Sequence, residues 1–70
     1  MTLSNDDKIS IINQKIRTTE YSKFSSELDL RLEQAVQEPD TAFIAELNLQ
    51  INNANAKLNI LTEEKASIEE

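Results

Sequence analysis

The sequence contains no cysteine, no histidine, no glycine and no tryptophan, and its one proline is Pro39. Each absence closes off a class of chemistry. Without cysteine there are no disulfides and no thiolate metal sites. Without histidine the commonest metal ligand and the commonest neutral-pH general base are missing. Without glycine there is no phosphate-cradling loop, no tight I′ hairpin turn, no glycine C-cap and no glycine turn for a Ca²⁺ loop. Aromatic residues are few, and β-branched runs of period two do not occur. Helix formers fill the remainder, so the expected fold class is all-α.

Seventy residues make one domain with a thin core. Chains of this size usually need a disulfide, a metal or a partner to be stable. The first two are excluded here, so self-association is expected, with a dimer as its simplest form.

The formal charge is −6. Residues 1–23 hold four bases and three acids (+1), whereas residues 24–70 hold three bases and ten acids (−7). An acidic chain without a basic stripe argues against nucleic acid as a partner, because that binding depends on neutralising phosphates. The longest apolar run, Ala42 to Ala45, is far too short to span a bilayer, and no membrane association is expected. The first residues show neither the basic region nor the apolar stretch of a signal peptide, so the expected setting is cytoplasmic.

What the sequence does have is periodicity. Ile44, Leu47, Ile51, Ala54, Leu58, Leu61 and Ile68 fall 3, 4, 3, 4, 3 and 7 residues apart, with Lys65 interrupting the series. This stripe predicts a helix over about 41–68 that needs a partner helix. The "QEPD" stretch supplies the boundary. Proline lacks a backbone donor and disfavours α geometry at Glu38, which predicts a first helix over about 4–37 and a turn at 38–40. Ser4 is the candidate N-cap of the first helix, with Asp6 and Asp7 complementing its dipole. Asp40 or Thr41 is the candidate cap of the second. So short a connection between long helices predicts an antiparallel hairpin.

The matching stripe on the first helix is expected at Ile9, Ile12, Ile16, Tyr21, Phe24, Leu28 and Leu32. Pairing residues whose numbers sum to about 79 sets Leu32 against Leu47, Leu28 against Ile51, Phe24 near Ala54 and Tyr21 against Leu58. It also brings Lys15 beside Glu64 and Arg17 near Glu63. The series jumps five residues between Ile16 and Tyr21, within a stretch rich in serine and threonine. Either a kink at 17–22, or a break that would give three helices, or a continuous helix with a drifting stripe would account for the jump. Leu49, Ala56 and Ile60 lie on the back of the second helix and form the candidate oligomer face. A second hairpin docked there would complete a four-helix bundle. Ile11 and Leu30 also fall off the expected seam.

Few residues carry chemistry. Carboxylate di-iron bundles need a Glu-x-x-His motif, which a chain without histidine lacks. The terminal acids in "TEEKASIEE" read as a solvated end, and the serines of "SKFSSE" have no base to activate them. No catalytic, cofactor or metal-binding residue is assigned, and no enzyme activity is expected. Lys15, Arg17 and Lys23, with Tyr21 and Phe24 between them, form the only basic cluster. They are the candidate contacts of the alternative reading, a small nucleic-acid-binding regulator.

The succession of "LSNDDKISIINQKI", a helix-breaking "QEPD" and "AELNLQINNANAKLNILTEEKASIE" resembles the short coiled-coil proteins of unassigned role encoded by large tailed marine phages. The resemblance covers most of the chain. It implies an accessory helical protein of the host cytoplasm or the virion, and it carries over no activity and no functional residue. The expected function is therefore that of a non-enzymatic helical interaction or structural module, acting through self-association or by binding another protein.

Overall fold

In a computed structural model that describes residues 2–70, the chain is an all-α helical hairpin. Helix α1 spans Asn5–Gln34 and helix α2 spans Thr41–Glu69. The two arms lie against one another along a rod of 55 × 19 × 14 Å. The described residues include no strand.

Helix α1 begins where its N-terminal N–H groups first find an acceptor. The Asp7 N–H donates to Ser4 Oγ at 3.1 Å, and Asp6 and Asp7 occupy the positive end of the helix dipole. The helix then runs unbroken through residues 17–22. In that stretch the Thr18 hydroxyl donates to the Gln14 carbonyl at 3.0 Å, which satisfies it inside the helix it would otherwise compete with.

The first helix stops at Gln34, three residues before the expected Gln37, and the turn occupies 35–40 rather than 38–40. Ala35 tightens the last turn by donating its N–H to the Leu32 carbonyl at 3.3 Å. The early stop gives the chain room to cross to the second helix before Asp40. There a lock forms from both sides. Asp40 Oδ1 accepts the Phe43 N–H at 3.1 Å and so caps α2, while the Asp40 N–H donates to Glu33 Oε2 at 3.1 Å. In a capping box the second of these bonds comes from the third residue of the same helix. Here the end of α1 supplies it.

Packing follows an uninterrupted beat in both helices. In α2 the shielded positions are Ile44, Leu47, Ile51, Ala54, Leu58, Leu61, Lys65 and Ile68. In α1 they include Ile9, Ile12, Ile16, Thr19, Lys23, Ser26, Leu30 and Glu33, with the same alternation of three and four. Aligned antiparallel, the two series match position for position with residue numbers summing to 77. The Ser26 hydroxyl, donating to Gln50 Oε1 at 3.0 Å, ties the helices at mid-seam in that register. Among the described residues only Leu47, 2% exposed, and Ala54, 8% exposed, are buried. Burying a leucine contributes about 1.5–3 kcal/mol, so one line of such contacts makes a thin core.

The lock at Asp40 is expected to carry a measurable share of this stability. Asp40→Ala should cost about 0.5–2 kcal/mol, the usual loss for an N-cap, and Glu33→Ala should also destabilise. Because both bonds hold one junction, the double variant should lose less than the two single losses combined. Urea unfolding followed by circular dichroism measures all three, and unchanged midpoints for both single variants would rule the lock out.

Candidate interaction surfaces

A helix that keeps its phase can present only one side to its partner. Ile9, Ile12 and Ile16 are half-buried on the side of α1 that faces α2. Tyr21 comes five residues after Ile16, about 140° further round a regular helix. It therefore leaves the seam, and the rest of that apolar set leaves with it. Tyr21 is 79% exposed, Phe24 62%, Leu28 43% and Leu32 60%. These four residues, expected in the seam, lie outside it. Their places are taken by Thr19, Lys23, Ser26 and Leu30. Leu30 was expected off the seam and is in it. The register shifts accordingly, so Leu47 shares a layer with Leu30 rather than Leu32.

The expected α2 positions Ile44, Leu47, Ile51, Ala54, Leu58, Leu61 and Ile68 are buried or half-buried. Lys65 also lies on this face, and its ammonium reaches Glu69 at 3.8 Å. That is the one ion pair within 4.0 Å among the described residues. Lys15 with Glu64 and Arg17 with Glu63, expected as neighbours, do not close to that distance. Glu33 accepts the Asp40 backbone N–H.

The displaced apolar residues are not scattered. Tyr21, Leu28 and Leu32 each lie nine residues from a seam position, respectively Leu30, Thr19 and Lys23. Nine residues make about two and a half helical turns, so this row points directly away from α2. Helix α2 has a counterpart. Leu49, Ala56 and Ile60 lie nine residues from Leu58, Leu47 and Ile51, and all three are exposed. Each helix thus carries an inner seam and a second apolar row on its outer side.

The basic residues line neighbouring grooves along the rod. Lys15 lines a groove with Ile11, Lys57 and Leu61, while Arg17 lines another with Ser10, Asn13 and Glu20. Lys23 lies in a third, beside Phe24, Glu27 and Leu58. Among the described residues no group of acidic side chains is arranged to hold a metal ion, and neither helix is long and apolar enough to cross a membrane. The chain matches no protein-family model, no curated protein and no solved structure.

One signal in the sequence does locate the inner seam of α1. The three-four beat begun by Ile9, Ile12 and Ile16, continued without regard to polarity, lands on Thr19, Lys23, Ser26 and Leu30. Lys23 is half-buried on the inner side of α1 beside Leu58, so Lys23→Leu should stabilise the hairpin by about 0.5–2 kcal/mol, as filling an under-packed position does. The same substitution at the exposed Ser25, on the outer side of α1, should not. Thermal melts of the two variants decide this, and a Lys23→Leu protein melting at or below the parent would contradict the assigned phase.

Proposed function

We propose that this protein is a non-enzymatic helical interaction module that works through self-association. The observation that carries the reading is the pair of exposed apolar rows, Tyr21, Phe24, Leu28 and Leu32 on α1 and Leu49, Ala56 and Ile60 on α2. Single exposed apolar residues are ordinary on any surface, but aligned rows on a rod this thin are the mark of an interface. The thin core supports the same conclusion, because ordering each residue costs roughly 1–2 kcal/mol and one buried line of contacts offsets little of it. A second copy covering either row would add the burial that the hairpin lacks. The likeness to short phage coiled coils fits an accessory role of this kind.

The nucleic-acid reading is not taken up, because the chain carries a net charge of −6 and binding of that kind depends on neutralising phosphates.

Self-association stabilises by mass action, so the thermal midpoint should rise as protein concentration is raised. Sedimentation equilibrium over the same range should report a mass above that of one chain. A concentration-independent midpoint, together with a single-chain mass at every concentration, would overturn the reading.

A further inference from the structure

The two outer rows differ in ways that decide how copies meet. On α1 the row is built of large side chains, and Arg17, one turn before Tyr21, is the charge on that face. On α2 the row alternates large with small, Leu49 and Ile60 among Ala42, Ala45 and Ala56, and the charges beside it are Glu46, Glu63 and Glu64 with one base, Lys57. Two α2 faces brought together would crowd three carboxylates from each copy against a single lysine from each. Two α1 faces would set large rings against large side chains and arginine on the same surface as arginine. Only an α1 face on an α2 face brings a row whose charge is positive against one whose charges are mainly negative.

The register agrees. Setting Tyr21 of one copy against Ile60 of the next, antiparallel, places Leu32 against Leu49 and Arg17 against Glu64, with residue numbers summing to 81. Leu28 falls at Asn53, one turn from Ala56. Within the hairpin the corresponding sum is 77, so the two contacts differ by four residues, about 6 Å along the axis. A copy added this way has nearly the same height and the same orientation as the one before it. Resting on the self-association read above, we infer that copies of this chain stack side by side, the outer face of α1 in one seating on the outer face of α2 in the next. Each copy then uses two different faces. Such a contact is heterologous and produces a ring or an open row rather than a closed pair.

Two variants that each disable one face test this. Leu28→Glu blocks the α1 row and Ile60→Glu blocks the α2 row. Both positions are exposed, and circular dichroism checks that helicity is kept. If either loses helicity, the milder Leu28→Ser and Ile60→Ser serve in its place. Sedimentation velocity at high protein concentration is the readout. The parent chain should grow beyond two copies. Each variant alone should remain a single chain, whereas their equimolar mixture should form a one-to-one pair and stop there, since each supplies the face the other lacks. If the parent associates but the mixture remains monomeric, or if only one of the two substitutions prevents association, the stacking is wrong while self-association stands. A parent chain that is monomeric throughout removes both.

Discussion

Everything in this hairpin depends on α1 keeping one helical phase from Asn5 to Gln34. A shift of phase between Ile16 and Tyr21 would turn the larger apolar side chains inward, but it requires a π-type insertion or a kink, with the loss of regular hydrogen bonds that either entails. It would also leave α2 unmatched, because the inner series of α2 runs from Ile44 to Ile68 without any stagger. Two seams can interlock over this length only if both keep the same period. The chain therefore keeps its helix and places Thr19, Lys23 and Ser26 inside. Each is tolerable there for its own reason. Thr19 brings a methyl group, Lys23 can lay its stem beside Leu58 and send its ammonium outward, and Ser26 spends its hydroxyl on Gln50.

The turn converts that phase into a register. Asp40 is bonded on one side to the start of α2 through Phe43 and on the other to the end of α1 through Glu33. With both bonds made, the length of chain between the helices is settled and so is the pairing of every layer below it. Glu33 explains why a carboxylate can sit on the inner side next to Ile44. Its carboxylate accepts the Asp40 backbone N–H where the chain enters the second helix.

The sequence made some of this legible and concealed the rest for a definite reason. Helix content, the Ser4 and Asp40 caps, the break at Pro39 and the inner row of α2 are all encoded locally, in residue types whose preferences agree with the fold. In α1 two signals conflict. Apolar character argues for Tyr21, Phe24, Leu28 and Leu32, whereas continuity of the backbone argues for Thr19, Lys23, Ser26 and Leu30. Reading the row from hydrophobicity alone follows the first signal and shifts the register from 77 to about 79. The backbone obeys the second, because its hydrogen bonds belong to every residue while the apolar gain belongs only to those that find a partner. The early end of α1 at Gln34 was hidden for a related reason. It depends on the path to Asp40, which no residue between Ala35 and Glu38 announces.

The conflict also divides the rod into two unlike halves. Far from the turn, Ile9, Ile12 and Ile16 face the Leu61 and Ile68 end of α2, while the outer positions Ser10, Gln14, Glu63 and Ser67 are polar. That half is apolar within and mostly polar without, with Ile11 and Ile60 exposed. Near the turn the pattern on α1 is reversed. Lys23, Ser26 and Glu33 face inward, and Tyr21, Leu28 and Leu32 face outward, with Leu49 and Ala56 on the far side of α2. A chain selected only to fold as an isolated hairpin gains nothing by exposing its largest apolar side chains where its own seam is polar. The two buried residues of the seam, Leu47 and Ala54, lie in this same half, so it is closed by the inner row of α2 and by the lock at Asp40 while the large side chains on its outer side stay uncovered.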